Sequence, residues 1–358
     1  MNKYIELLDR LIALPSVSRS EDATAACLEA FLKAEGVSEV NRLHNNVWAR
    51  GEVWDDSKPT LLLNSHHDTV KPSPAYTRNP YQPAHELGCI YGLGSNDAGA
   101  SVVSLVATFL HFYRKKLPFN LILALTAEEE VTGANGSRAL IPHLIEKFSL
   151  SMDNVMGIVG EPTQMQAAIA ERGLVVLDGL AEGKAGHAAR NEGINALYIA
   201  LDDIDRLRTY QFEQQSALLG PVKITATQIE AGTQHNVVPA ECRFVVDVRT
   251  TDVYTNEQVV AILHQLTRSP LTPRSTHIRA SVISRDHPLV RVAEALEVPL
   301  FVSPTTSDMT QMPFPTIKMG PGDSARSHSA DEWVGEQEIL NAIDQYIAFV
   351  NHLAAISI

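Results

Sequence analysis

Apolar runs that end in histidine or acidic residues are the feature that most limits what this 358-residue chain can fold into. Residues 60–65, 119–126 and 155–160 are three such runs, and each predicts a short buried strand. Helical patterns lie between these runs. Strands that alternate with helices predict a largely parallel sheet, and the polar residues at the ends of the strands predict a site along that edge.

These polar residues form a mixed set of nitrogen and oxygen donors, of the kind that binds zinc and related divalent ions. Each residue alone is also typical of an ordinary surface or salt-bridged position. It is the number of acidic residues following apolar runs that favours a metal site. The set consists of His66, Asp68, Asp97, Glu129, Glu130, Glu161 and His328. In an extended backbone, His66 and Asp68 face one side and His67 faces the other.

The bulk composition argues against several classes of partner. The net charge of −13 disfavours nucleic acid and anionic membranes as partners. Residues 1–14 carry charges inside an apolar pattern and predict an amphipathic helix rather than a signal peptide. The longest apolar stretch, residues 98–113, is interrupted by polar residues and too short to span a bilayer, so it predicts a core helix. We expect a soluble cytoplasmic protein.

The sequence pattern changes after residue 171 and returns to its first form near residue 284. Residues 1–171 and 284–358 predict an α/β domain, with a mixed, largely parallel sheet, helices on both faces and a surface excursion over 71–91. Residues 172–283 predict an inserted, lid-like α+β domain of two helices and four strands. Its strands are expected at 174–182, 222–230, 242–249 and 278–283, and its helices at 194–208 and 256–268.

Five segments in this order resemble the motifs of the M20 metallopeptidase family of co-catalytic zinc deacylases and exopeptidases. They are NSHHDTV (64–70), GLGSNDAG (92–99), TAEEEVTG (126–133), VGEPT (159–163) and GPGDSARSHSADEWV (320–334). Within that family the chain looks most like acetylornithine deacetylases, and succinyl-diaminopimelate desuccinylases are close relatives. The resemblance covers nearly the whole chain.

The resemblance implies two divalent metal ions in each subunit. Zinc is the first expectation and cobalt the alternative. His66 and Glu161 would hold one ion, Glu130 and His328 would hold the other, and Asp97 would bridge them.

The same resemblance implies roles for the neighbours of these ligands. Asp68 would orient His66, and Glu129 would be the general base that takes a proton from the metal-bridging water as it attacks the amide carbonyl. Glu128 takes the place of a commoner Asp and is expected to be a bystander. The peptide bond between Asp97 and Ala98 is expected to be cis.

The inserted domain also carries segments that resemble the family. GKAGHAAR implies that His187 reaches the active site of a partner subunit and stabilises the oxyanion. QHNVVPAEC and DVRT imply that Asn236 and Arg249 contact the substrate, although a structural salt bridge is an equal reading for Arg249. If these residues act in trans, the protein is a homodimer through residues 172–283.

Some positions depart from the family pattern. Asp97-Ala98-Gly99 lacks the Lys that most relatives have after the bridging Asp, and Ser65 stands where a Gly is usual. Ser324 stands where desuccinylases have an Asn, which counts against that substrate. TTSDM resembles a substrate-loop motif and makes Thr306 and Ser307 weaker candidates for substrate binding.

The expected activity is removal of the acyl group from an N-acyl amino acid, with N-acetylornithine as the first candidate. N-acetylcitrulline and N-succinyl analogues stay open, and Lys184 and Arg190 beside His187 would suit a succinyl carboxylate. A dipeptidase, an aminopeptidase or a succinyl-diaminopimelate desuccinylase of the same fold is the alternative. A catalytically inactive relative that serves as a binding protein is a third hypothesis, against which the intact Glu129 argues.

Overall fold

The computed structural model describes residues 2–190 and 192–356, which form two compact units. The first unit comprises Met1–Ile169, Ile283–Ser303 and Ser307–Ile358, and the second comprises Ala170–Val282 and Pro304–Thr306. From the sequence, the insertion is expected at residues 172–283.

Each helix of the two units buries part of its apolar side chains. They are α1 Lys3–Ile12, α2 Asp22–Ala34, α3 Ala100–Phe112, α4 Ser137–Lys147, α5 Ala196–Thr209, α6 Asn256–Leu266, α7 Pro288–Ala295 and α8 Glu336–Ala355.

The strands are mostly short. They are β1 Val40–Leu43, β2 Asn46–Arg50, β3 Thr60–His66, β4 Ala84–Glu86, β5 Cys89–Tyr91, β6 Asn120–Thr126, β7 Val155–Val159, β8 Ala167–Glu171, β9 Gly173–Glu182, β10 Gly186–His187, β11 Lys223–Ala231, β12 Val237–Val238, β13 Glu241–Thr250, β14 Leu271–Pro273, β15 Ser281–Val282, β16 Leu300–Ser303, β17 Thr316–Lys318 and β18 Trp333–Gly335.

The first unit is built on a mixed sheet in the order β1-β2-β6-β3-β7-β17-β8. The central strands β6, β3, β7 and β17 run parallel to one another, and antiparallel strands flank them on both sides. Every residue of β3 and β6 is buried, as continuous apolar runs in parallel strands require. This confirms the predicted mixed sheet and places the ends of β3, β6 and β7 at one edge.

Helices cover both faces of this sheet. On one face, Leu140 of α4 packs in a hydrophobic cluster with Leu62 of β3 and Ile122 of β6. On the other face lies α3, with α1 and α8 beside it. The turn before α3 requires Gly99, because a Cβ atom there would lie 2.4 Å from the carbonyl oxygen of Gly94.

The segment 71–91 is more regular than the sequence predicts. Strands β4 and β5 form an antiparallel hairpin, and β18 pairs with β5 to complete a three-stranded sheet. Strands of three residues are too short to carry an alternating pattern, so the prediction of a surface excursion missed them.

The second unit confirms the predicted α+β arrangement of two helices and a four-stranded sheet, and it also contains the strand pair β10-β12. Its antiparallel sheet has the order β11-β13-β9-β14, and residues of α5 and α6 pack with those of the sheet in one hydrophobic cluster. The choice of the fourth strand was wrong. Residues 271–273, which are not among the expected strands, pair with β9. Strand β15, which lies in the predicted strand 278–283, pairs with Ala170 and Glu171 instead.

Within residues 2–190 and 192–356, no helix is both long enough and apolar enough to cross a membrane.

Candidate metal centre

His66 is the last residue of β3, and its side chain points into a group of acidic residues. The ring is 1% exposed, and its Nε2 atom lies 3.1 Å from Asp97 Oδ1 and 3.7 Å from Glu161 Oε1. Its Nδ1 atom lies 3.0 Å from the carbonyl oxygen of Asp68 and 3.4 Å from the carboxylate of the same residue. A proton on Nδ1 is therefore held by Asp68, and the lone pair of Nε2 would then be free to bind a cation placed between the ring and the carboxylates of Asp97 and Glu161.

The neighbouring His67 faces the other way. Its Nδ1 atom lies 2.9 Å from Thr24 Oγ1 and its Nε2 atom lies 3.0 Å from the carbonyl oxygen of Asn45. Burial lowers the pKa of His67 to about 4, so the ring is neutral at pH 7. The alternation expected for an extended strand thus separates one candidate ligand from one structural histidine.

Asp68 does more than hold His66. Its carboxylate accepts hydrogen bonds from Ser18 Oγ (2.7 Å), from the main-chain N–H of Glu129 (3.0 Å) and from that of Glu130 (3.2 Å). Burial opposes its ionisation, but these donors and His66 outweigh burial and lower the pKa of Asp68. Asp68 therefore joins the end of β3 to the loop that follows β6.

A second group lies on the other side of Asp97. His328 Nε2 is 3.0 Å from Glu130 Oε2 and 3.8 Å from Asp97 Oδ2. The two oxygen atoms of Asp97 thus face different histidines, with Oδ1 toward His66 and Oδ2 toward His328. The peptide bond between Asp97 and Ala98 is cis, as expected.

The donor atoms fit a divalent cation. One ligand atom from each of His66, Asp97 and Glu130 lies within 4.8 Å of the others, and Glu161 and His328 extend the group on its two sides. Imidazole nitrogens together with carboxylate oxygens are the donors that zinc and similar ions take in proteins.

The charges of the group also favour a cation. Burial raises the pKa of Glu161 to about 8, and the nearby carboxylate of Asp97 adds to this effect although His66 opposes it. Burial likewise raises the pKa of Glu129 well above its ordinary value. Buried carboxylates that repel one another are stabilised by positive charge placed between them.

Two buried acidic residues near the site, Glu332 and Asp308, are not among the candidates expected from the sequence. Glu332 accepts three main-chain hydrogen bonds, from Gly94, Asn96 and Asp97, and burial together with Asp97 raises its pKa to about 8. Asp308 accepts hydrogen bonds from Thr126 Oγ1 (2.6 Å) and Ser137 Oγ (2.5 Å), on either side of the loop after β6. The available signal was that both residues lie inside the quoted segments ADEWV and TTSDM.

Glu128, expected to be a bystander, is turned away from the ligands. Its carboxylate accepts hydrogen bonds from the main chain and side chain of Asn135, and its own N–H donates to Glu21. It shapes the loop and contacts none of the candidate ligands through these hydrogen bonds.

The expected substrate residues belong to the second unit. His187 lies in β10, which pairs with β12, and the N–H of Ala188 donates to the carbonyl oxygen of Asn236, so these two candidates lie side by side. Arg249 makes two hydrogen bonds to Asp247, at 2.8 and 3.1 Å. Thr306 is grouped with the same unit. The roles of these residues stay predictions.

Comparison with known proteins assigns the chain to a family. A family model described as Peptidase family M20/M25/M40 matches residues 62–352. The succinyl-diaminopimelate desuccinylase of Wolinella succinogenes is 27% identical over 326 residues, which covers 85% of this chain and 84% of that protein. The acetylornithine deacetylase of Proteus mirabilis is 26% identical over 369 aligned positions and covers 92% of both chains. Among solved structures, the Bacillus subtilis YXEP protein, a dinuclear metal-binding peptidase from the M20 family, matches with a TM-score of 0.72 at 16% identity over 98% of this chain and 97% of that one.

Two adjacent histidines provide a matched test of the metal centre. Replacing His66 by Ala removes a donor that faces Asp97, so we expect metal affinity to fall by at least about 10-fold to 100-fold. His67→Gln changes a ring that binds Thr24 and Asn45, so we expect lower thermal stability with unchanged metal affinity. Titration of each metal-free protein with Zn²⁺ in the presence of a chromophoric chelator measures both affinities. Equal affinities for the wild type and His66→Ala would contradict the assignment.

Proposed function

The chain belongs to the M20/M25/M40 peptidase family, and we propose that it is a two-metal amidohydrolase that removes the acyl group from an N-acyl amino acid. The observation that carries this proposal is the position of Asp97. Its two carboxylate oxygens face two separate groups of donors, one at His66 and one at His328.

The ligands divide into two sets around Asp97. We assign His66 and Glu161 to one ion and Glu130 and His328 to the other, with Asp97 shared between them. The distances of 3.7 Å from His66 to Glu161 and 3.0 Å from His328 to Glu130 support this division. The nitrogen and oxygen donors suit zinc, and cobalt is the alternative.

When bound, the two ions polarise the amide carbonyl and lower the pKa of water toward about 7. Glu129 then accepts one proton from the water whose oxygen attacks the carbonyl carbon. As the C–N bond breaks, Glu129 gives that proton to the leaving nitrogen, and the products are a carboxylic acid and a free amine. Burial raises the pKa of Glu129 well above its ordinary value, and the positive charge of bound cations would oppose this effect and favour the ionised form that can accept a proton.

Glu129 is placed for this role by Asp68. The N–H groups of both Glu129 and Glu130 donate to the carboxylate of Asp68, so the base and the adjacent metal ligand are fixed by the same group. Adjacent side chains on such a turn point in different directions. One of them serves as a ligand while the other stays free to carry a proton.

The substrate we propose is N-acetylornithine or a related intermediate of arginine biosynthesis, such as N-acetylcitrulline or an N-succinyl analogue. The similarity to an acetylornithine deacetylase over 92% of both chains supports this class. Ser324, at a position where the family resemblance leads us to expect Asn in a desuccinylase, argues against succinyl-diaminopimelate.

A peptidase activity on dipeptides or terminal residues is the second candidate. It is favoured by the match in fold to the YXEP protein, which is named a peptidase. Both candidates use the same water attack and the same base. They differ in the group on the acyl side of the scissile amide.

We further propose that the protein is a homodimer through the second unit. Strand β11 is at the edge of the four-stranded sheet, and most of its residues are exposed, including Ile229. Tyr198 and Leu201 of α5 are exposed apolar residues of the same unit, at 64% and 47%. An edge strand and apolar side chains left in water favour pairing with a second copy. In such a dimer, His187 and Asn236 would act on the partner's substrate.

The substrate class is tested by hydrolysis with the zinc-loaded protein and a chelated control. The panel contains N-acetylornithine, N-acetylcitrulline, N-succinylornithine, succinyl-diaminopimelate and several dipeptides. We expect metal-dependent turnover that is fastest for an N-acyl ornithine or citrulline. Faster turnover of dipeptides would favour the peptidase, and a metal-loaded protein that hydrolyses nothing in the panel would favour a binding role.

The role of Glu129 is tested against its neighbour. Glu129→Gln removes the proton acceptor, so we expect kcat to fall by about 10²-fold to 10⁴-fold while both metal ions stay bound. Glu128→Gln changes the side chain that binds Asn135, so we expect reduced stability and a far smaller loss of kcat. Steady-state kinetics with metal analysis of each variant distinguishes the two residues, and equal losses of kcat would contradict the assignment of the base.

The dimer is tested with a charged residue on the edge strand. Ile229→Arg places a cation on β11, so we expect a chain of half the molar mass and, if His187 acts in trans, a lower kcat. Val53→Arg, at an exposed apolar position of the first unit, is the matched control and should keep the dimer. Light scattering after gel filtration measures the mass. A wild-type protein that elutes as a single chain would refute the dimer.

A further inference from the structure

Glu332 is a buried carboxylate that contacts main-chain groups of a distant segment. Its side chain is 2% exposed, and its oxygens accept hydrogen bonds from the N–H groups of Gly94, Asn96 and Asp97, each at 2.9 Å. A carboxylate that accepts three such bonds satisfies donors that would otherwise be buried without a partner.

The segment that Glu332 binds ends with the proposed bridging residue. The N–H of Asp97 donates to Glu332 Oε1, while the Asp97 side chain lies between His66 and His328. Glu332 thus fixes the backbone of Asp97, whose side chain faces both donor groups.

Glu332 also belongs to the chain segment that carries His328, four residues earlier. Its carbonyl oxygen accepts a hydrogen bond from the N–H of Gly92 (2.9 Å), and the following strand β18 pairs with β5. The loop that holds Asp97 and the loop that holds His328 are therefore joined through Glu332 by both side chain and main chain.

A second contact holds the same segment through the side chain of Asn96. Asn96 Oδ1 accepts from the N–H of Asp323 (2.9 Å), and Asn96 Nδ2 donates to the carbonyl oxygen of Asp323 (3.1 Å). This contact fixes Asn96 but leaves the N–H of Asp97 to Glu332. The two contacts together leave the Asp97 backbone little freedom to shift relative to His328.

We propose that Glu332 is the positioning residue that sets where Asp97 lies between the two metal ions. The inference rests on the proposed two-metal function, and Glu332 acts through Asp97 without contacting metal or substrate. Residues that hold a metal ligand in place commonly contribute 10-fold to 100-fold to metal affinity, so a comparable effect is expected here.

A carboxylate is needed at position 332 because both of its oxygens accept hydrogen bonds from main-chain N–H groups. In Glu332→Gln, the amide oxygen can still accept from Asn96 and Asp97, but the amide NH₂ faces the N–H of Gly94. In Glu332→Ala all three N–H groups lose their partner. The expected order of metal affinity is therefore wild type, then Glu332→Gln, then Glu332→Ala.

The experiment is a Zn²⁺ titration of the metal-free proteins against a chromophoric chelator, together with the visible spectrum of each protein loaded with Co²⁺. We expect Glu332→Gln to bind at least one ion about 10-fold more weakly, Glu332→Ala to bind about 100-fold more weakly, and the Co²⁺ spectra to change as the ligand geometry changes. If neither variant folds, Glu332→Asp, which keeps the charge but is one methylene shorter, takes their place in the same titration.

Asp203 provides the matched control. It is a fully buried carboxylate of the second unit that accepts hydrogen bonds from the N–H groups of Arg268 and Ser269, both at 2.9 Å. Asp203→Asn should lower the thermal stability of the metal-free protein without changing its affinity for Zn²⁺. Wild-type affinity in the Glu332 variants, or an equal loss in Asp203→Asn, would overturn the positioning role. A wild-type protein that binds fewer than two ions would instead overturn the proposed function on which this role rests.

Discussion

Hydrogen bonds from main-chain N–H groups to buried carboxylates are the interaction on which the rest of the metal centre depends. Asp68 accepts from Glu129 and Glu130, and Glu332 accepts from Asp97. The three residues that donate these bonds, Glu129, Glu130 and Asp97, lie outside the strands, so no sheet hydrogen bonds fix their backbone. His66 differs because it is the last residue of β3, and the pairing of that strand with β6 positions it directly. The irregular segments need the carboxylates because buried N–H groups require an acceptor.

The sequence predicted the parts of the site that follow regular structure. His66 and Glu161 come after apolar runs, and the buried parallel strands place the ends of those runs at one edge of the sheet. The role of Glu332 left no such trace, because its partner Asp97 is 235 residues away and donates a main-chain N–H, which every residue except proline has. A contact of this kind produces no pattern of residue types along the chain.

The errors in the predicted fold have a similar origin. Strand β14 contains three residues and ends in a proline, so its composition is typical of a loop. It pairs with β9 because residues 177–179 of β9 have an unpaired edge on that side. This edge depends on the tertiary structure and leaves no pattern in the local sequence. The longer strands β9 and β13, with ten residues each and alternating burial, were predicted within one or two residues of their observed ends.

The buried carboxylates at the site differ in the direction of their pKa shifts. The pKa of Asp68 is lowered from its ordinary value of 3.8, so its ionised form stabilises the fold above that pH, and this contribution is lost only as the pH falls through the folded-state pKa. Glu161 has the opposite sign. Its pKa of about 8, compared with an ordinary value of 4.5, means that ionisation increasingly destabilises the metal-free fold between these two values. At neutral pH, Asp68 is therefore charged and holds the loop of Glu129 and Glu130, while Glu161 keeps its proton until a cation displaces it. The hydrogen bonds that orient the base therefore favour an ionised Asp68 at neutral pH, whereas the ionised form of Glu161 would be stabilised by a bound cation.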